Sequence, residues 1–292
     1  MHYRITHRTS YRHSETVPLC QNALWMTPRS ERGQYCESSR IDIEPIPSNR
    51  GVRPDYFGNE VIFFSIDAGY RSLDIVAVSE VRIVSRPPSE QLPESPPWER
   101  VVSSLDDDLS IAGIDACQFR YDSPNASASE ELADYASHSF TPGRPIAEAA
   151  RDLTSRIHAD FVYEPGTTTV QTSVAEAFAL KRGVCQDFAH VAIAALRSLG
   201  LAARYVSGYV RTLPPPGQPR LVGADASHAW PGVFCGPAGW IDFDPTNDLM
   251  PSTDHVTLAW GRDYGDVTPV RGLFVGGGRH EMTVSVDVAP IE

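Results

Sequence analysis

Three short segments place a thiol, an imidazole and a carboxylate in one chain: Gly183-Val184-Cys185-Gln186-Asp187-Phe188, Ser227-His228-Ala229-Trp230 and Trp240-Ile241-Asp242-Phe243-Asp244-Pro245-Thr246. A cysteine attacks a carbonyl as the thiolate, so it needs an imidazole to take its proton and a locally positive field. The imidazole in turn needs a carboxylate to fix its tautomer and stabilise its charged form. Cys185, His228 and Asp244 are the residues assigned these parts, and the chemistry they imply is acyl transfer through a thioester.

The elements that must position them are legible in the same stretch. Ser173-Val174-Ala175-Glu176 has the form of a capping box, with Thr172 as the other candidate cap, and opens a short helix to about Leu180 that Arg182-Gly183 ends. A second helical pattern begins at Cys185, with Phe188, Val191, Ala192, Ala195, Leu196 and Leu199 at helical spacing up to Gly200. The thiol then lies in the first turn, where unpaired N–H groups and the helix dipole favour an anion. Residues 202–210 read as a strand and 211–226 as a loop. His228 to Phe234 and Trp240 to Asp244 read as a hairpin closed over 235–239. A turn near Gly236 or Pro237 sets His228 opposite or diagonal to Asp244, within side-chain reach. Asp242 is the second choice for that carboxylate and Asp225 the third. Taken singly, Cys185 reads equally well as packing, His228 as a surface histidine and Asp244 as the Asx turn before Pro245. His190, five residues along the helix from Cys185, points elsewhere. Trp230 and Trp240 are expected to wall the site.

These three segments, with Asp244-Pro245-Thr246-Asn247, Phe161-Val162-Tyr163, Thr169-Val170 and Gly261-Arg262-Asp263-Tyr264, resemble the bacterial transglutaminase-like superfamily, a branch of the papain-like thiol enzymes. His2-Tyr3-Arg4-Ile5 and Asp55-Tyr56-Phe57-Gly58-Asn59 resemble the β-rich domain that precedes the core in many bacterial members. The resemblance implies a papain-like core and Cys185, His228 and Asp244 as its triad. It also makes Tyr163 a candidate second oxyanion donor or substrate contact, with the Cys185 N–H as the first. Gln186 and Trp230 are further substrate or oxyanion candidates. The implied activity is a cysteine-dependent peptidase, amidase or protein-glutamine acyltransferase acting on peptide or protein amides. Two other readings stand beside it: a catalytically silent peptide-binding or scaffolding protein, and a protein whose N-terminal β-domain does the work by docking a partner.

Composition bounds the rest. A chain of 292 residues with 41% hydrophobic content buries an ordinary core, in one large or two modest domains. A net charge of −12 argues against nucleic acid or an anionic membrane as partner. No apolar run is long enough to span a bilayer, and the polar N-terminus points to the cytoplasm. The five cysteines make neither a disulfide framework nor, with the histidines, a zinc pattern. Asp106-Asp107-Asp108 lacks the spaced ligands and glycine of a calcium loop. No metal and no cofactor is expected.

The organisation expected is α+β. Residues 1–84 form a β-sandwich from short runs at His2–His7, Asn22–Met26, Ser39–Ile43, Asn59–Ile66 and Ile75–Val84. Residues 85–105 form a proline-rich linker, through Pro87-Pro88, Pro93 and Pro96-Pro97. Residues 106–292 form the catalytic core with C-terminal strands. Within it, Ser127-Ala128-Ser129-Glu130 caps one helix, Pro145 opens an amphipathic one, and 282–288 alternates as a terminal strand.

Overall fold

The computed structural model describes residues 1–31, 33–84, 92–212 and 226–291. It holds fourteen strands: β1 (His2–Val17), β2 (Leu19–Leu24), β3 (Gln34–Glu44), β4 (Asn49–Pro54), β5 (Glu60–Ile66), β6 (Tyr70–Ile83), β7 (Val162–Tyr163), β8 (Arg182–Gly183), β9 (Ala203–Val210), β10 (Ala226–Phe234), β11 (Trp240–Asp242), β12 (His255–Gly261), β13 (Val270–Val275) and β14 (His280–Pro290). Six α-helices accompany them: α1 (Trp98–Asp107), α2 (Ile111–Cys117), α3 (Glu130–Ser137), α4 (Ile146–Asp160), α5 (Val174–Leu180) and α6 (Cys185–Ser198).

The strand-rich region is two four-stranded sheets, ordered β14-β1-β6-β3 and β13-β2-β5-β4. Strand β1 runs well past His7, because its polar residues alternate outward while Tyr3, Ile5, His7 and Thr9 are buried on one face. Strand β4 had no sequence signal: all six of its residues are exposed at a sheet edge. The two C-terminal strands do not belong to the core sheet as expected. β14 pairs with β1 from Tyr3↔Pro290 to His13↔His280, and β13 pairs with β2. Their apolar alternation could not name a partner sheet, since pairing is non-local.

The core is a third four-stranded sheet, β11-β10-β9-β12, with α6 lying on β9 and β10 and flanked by α3, α4 and α5. Every residue of α6 from Asp187 to Arg197 is buried, so the helix bearing Cys185 is the central rod of the core. Burying each Val, Leu or Ile side chain contributes about 1.5–3 kcal/mol. One continuous apolar cluster joins Phe188, Val191, Ile193 and Leu196 of α6 to Tyr3 and Ile5 of β1 and to Val286 and Val288 of β14. The two regions therefore share a core. Polar ties reinforce the joint: Tyr3 Oη donates to Asp254 at 2.9 Å, and the Gln34 amide bonds both the C=O and N–H of Thr257.

The linker expectation over 85–105 is corrected in part. Residues 85–91 lie outside the described residues, 92–96 have no regular structure, and α1 begins at Trp98 with Pro97 as its cap. Val101 and Leu105 of α1 are buried in the core. The α3 cap is Ser129, whose hydroxyl accepts from the Leu132 N–H, rather than Ser127.

Candidate functional site

The first turn of α6 is built by a buried acid. Asp187, 2% exposed, accepts from the Val184 N–H at 2.8 Å and from the Thr168 hydroxyl at 2.7 Å. The N-terminal carboxylate compensates unpaired helix donors and the dipole. It also explains Gly183, where an added Cβ would run into the Asp187 carboxylate. Helix α5 ends upstream at Lys181 in a left-handed conformation, after the expected Ser173–Glu176 capping box at its start. The chain thereby enters α6 with Cys185 as its first residue, partly exposed at a cavity of about 330 Å³.

His228, 6% exposed, sits on β10 opposite Gly208 of β9. Its Nε2 lies 2.7 Å from Asp244 Oδ2, and the ring also hydrogen-bonds Cys185. Burial alone would pull this imidazole down. Its hydrogen bonds to Asp244 and Cys185, with their negative charge, outweigh that and push it up to about 10. The surroundings of the ring thus favour its charged form.

The hairpin register Gly232↔Asp242 and Phe234↔Trp240 sets Asp244 diagonal to His228. Asp244 is fully buried and serves both of its sequence readings at once. Oδ1 accepts from the N–H groups of Thr246 and Asn247 at 3.0 and 3.3 Å, closing the turn before and after Pro245. Oδ2 accepts from His228, from the Asn247 amide at 2.7 Å, and from His255 Nε2 at 3.0 Å. Burial would raise the Asp244 carboxyl, but the two histidines hold it well below the usual carboxylate range. The turn is pinned to α4 by Arg151, which bonds Asp248 Oδ1 at 2.5 Å and its backbone oxygen at 2.8 Å.

His255 was missed by sequence reasoning. It lies at the start of β12, and its Nδ1 accepts from the Ser252 N–H at 3.3 Å, which leaves Nε2–H to donate to Asp244. The alternation in residues 255–261 signals a strand, but only the sheet brings that strand beside Asp244. The ligand atoms of His228, Asp244 and His255 fall within 4.8 Å of one another. Their contacts of 2.7 and 3.0 Å are hydrogen-bond lengths. Ligands on a tetrahedral zinc with bonds of about 2.0–2.1 Å stand roughly 3.3 Å apart. The trio is a hydrogen-bonded relay more than a metal cage.

The other expected residues divide. Tyr163, half exposed, and Gln186 line the cavity with Cys185. Trp230 does not: it is fully buried behind the site, packed on His228 and His255 at ring-centroid distances of 5.8 and 5.3 Å. Its substrate assignment is corrected to support. Gly208 makes room for that ring, since a side chain there would collide with it. Asp242 takes the Trp230 Nε1–H at 3.1 Å, so the second-choice carboxylate holds the tryptophan and leaves the histidine alone. Asp225, the third choice, lies outside the described residues, as does most of the 211–226 loop. Trp240 packs on Phe119 and Phe234, away from the cavity. His190 is buried and accepts from the Tyr264 N–H at 3.2 Å, turned from Cys185 as expected.

The cavity has a second wall that the sequence did not announce. His7, Thr9 and Tyr11 of β1 and Met282 and Val284 of β14 face Cys185 and His228 across it. His7 Nδ1 lies 2.7 Å from the Tyr209 hydroxyl of β9, tying the two walls together. Among the described lining residues none is Asp, Glu, Lys or Arg.

Comparison with known proteins agrees with this fold. Residues 3–82 match the model for the bacterial transglutaminase-like N-terminal region, and residues 133–245 that for the transglutaminase-like superfamily. An uncharacterized protein of Mycobacterium tuberculosis is 40% identical over 297 residues, covering 99% of this chain and 93% of the relative. Another from Mycobacterium leprae is 32% identical, covering 98% and 97%. A Pseudomonas aeruginosa protein-glutamine gamma-glutamyltransferase is 30% identical over 128 residues, covering 37% of this chain and 19% of that protein. The crystal structure of a "putative cysteine protease" from Cytophaga hutchinsonii superposes with a TM-score of 0.74 at 21% identity, covering 100% of this chain and 92% of that one.

Proposed function

The chain belongs to the transglutaminase-like superfamily, and from that premise we propose that it is a cysteine-dependent acyl-transfer enzyme acting on peptide or protein amides. Cys185 is the nucleophile, His228 its acid and base, and Asp244 the group that orients His228. The observation that carries this reading is the His228–Asp244 bond of 2.7 Å, with the other face of the ring toward the Cys185 thiol at a helix N-terminus.

In the proposed cycle the Cys185 thiolate attacks the amide carbonyl and an S–C bond forms. The oxygen gathers charge near the N–H groups of the first turn of α6. Collapse breaks the C–N bond, and His228 gives its proton to the departing amine. Water or a second amine then attacks the thioester, passes a proton to His228 and releases the thiolate. Tyr163 and Gln186, on the cavity wall, are the proposed substrate contacts. Between the two acceptors we favour water, hence a peptidase or amidase, on the resemblance to superfamily members without calcium machinery. Five unpaired cysteines support a reducing compartment, in keeping with a cytoplasmic location. No helix among the described residues is long and apolar enough to cross a membrane.

The deciding experiment incubates the protein with peptide libraries and a labelled primary amine, read by mass spectrometry. Backbone cleavage identifies a peptidase, conversion of glutamine to glutamate an amidase, and label on glutamine a transglutaminase. Turnover that survives in Cys185→Ala overturns the proposal.

A further inference from the structure

The cavity beside Cys185 is a joint product of the two regions. On its far wall the β1–β14 register sets Thr9 opposite Val284 and Tyr11 opposite Met282, so these four side chains form adjacent rungs on one sheet face. The same face, two rungs further, carries Val286 and Val288 into the shared core, which fixes this wall rigidly against the catalytic sheet. Thr9 also holds His7, whose Nε2 lies 3.3 Å from the Thr9 hydroxyl.

Two properties of this wall are unusual for a surface strand. Met282 and Val284 are 56% and 48% exposed, although a chain of net charge −12 has ample polar residues to cover an edge strand. The opposite rim carries Tyr163 at 52%. Exposed apolar side chains on both rims of one cleft mark a binding surface. Apart from Cys185 and His228, the lining carries no Asp, Glu, Lys or Arg among the described residues, and burial pushes the His7 imidazole down to about 4, so it stays neutral at working pH. A volume of about 330 Å³ is at the lower end of ligand sites of roughly 300–1,000 Å³, enough for a narrow segment of chain. An ammonium or carboxylate seated against this wall, away from the reacting pair, would lose hydration without finding a partner, which is costly.

We propose that the sheet face at Thr9, Tyr11, Met282 and Val284 is the substrate-recognition wall of the Cys185 cleft, taking an extended polypeptide segment with uncharged, apolar side chains beside the reacting amide. The inference rests on the proposed function for its meaning but can be tested apart from it. The segment lies between this wall and Tyr163, and the N-terminal region is thereby part of the active cleft.

Peptide arrays probed with Cys185→Ala report binding independently of turnover. The expected result is retention of segments rich in Leu, Val, Phe and uncharged polar residues over charged ones by roughly tenfold or more. Val284→Lys in the same background should redirect retention toward Asp- and Glu-containing segments, and Val284→Glu toward Lys- and Arg-containing ones. Opposite shifts from two substitutions at one half-exposed position are not produced by misfolding. Equal retention of charged and apolar segments, no retention of any peptide, or identical selection in both variants would overturn the proposal. Loss of turnover by the wild-type chain with selective retention intact would sink the enzyme reading and leave the wall standing.

Discussion

Asp244→Asn isolates what the carboxylate does for the thiol. His228 is pushed from its ordinary 6.5 to about 10, a difference of about 3.5 pH units and so about 5 kcal/mol at roughly 1.4 kcal/mol each. Burial opposes that rise; Asp244 and Cys185 share in producing it. Asp244 is the larger contributor and burial opposes both, so at least half the difference, about 2–3 kcal/mol or more, belongs to the carboxylate. Asparagine keeps an oxygen for the Thr246 and Asn247 N–H groups, so the turn survives while the charge is lost. The raised group is a histidine, so the imidazolium is fully present below about 6.5 and lost as pH rises through about 10. Removing the charge lowers that upper limit toward or below 6.5, because burial remains. The assay is alkylation of Cys185 by iodoacetamide across pH, with melting temperature as the control for folding. Thiolate is the species that alkylates, so the rate at about pH 6 reads the support the imidazolium gives it and should fall roughly 30-fold or more. A variant that melts normally yet alkylates within about twofold of wild type at that pH would refute the reasoning.

Other outcomes follow from the same coordinates. His255→Phe removes one donor from Asp244 Oδ2, worth about 1.5–3 kcal/mol for a bond to a charged group; alkylation near pH 6 should fall roughly tenfold or more, and His255→Gln should restore part of it. His7 and His190 are buried as neutral rings with values pushed down to about 4. Their contribution is intact above the unfolded value of about 6.5 and lost as pH falls toward 4, where each costs up to about 3 kcal/mol; urea midpoints at pH 7 and about 4.5 should differ accordingly, and His7→Gln should flatten the dependence. Ile5→Ala opens a void in the core shared by β1, β14 and α6, costing about 2–5 kcal/mol. Calorimetry should show one lowered transition; two separate transitions would contradict a shared core.

The chemistry was readable because it is local. A capping box, a helical apolar period from Phe188 to Leu199 and a hairpin between His228 and Asp244 are each written over a few residues, and together they place a thiol at a helix start and a carboxylate diagonal to an imidazole. What escaped was non-local or faint. His255 and Asp244 are eleven residues apart and meet only because β12 pairs on the far side of β9. Trp230, a substrate candidate from the sequence, packs instead across β9 behind the histidines, where Gly208 makes room for its ring. α1 was read as linker because prolines precede it, although its buried Val101 and Leu105 belong to the core.

By itself, then, the sequence determined the reacting groups and the short elements that carry them, since propensity, capping and hairpin register act over a few residues. Tertiary structure alone decided who stands across the cleft. Strands β13 and β14 return to sheets begun more than two hundred residues earlier, and strand alternation specifies a face without specifying a partner. That pairing gives Cys185 and His228 the second wall of their cavity.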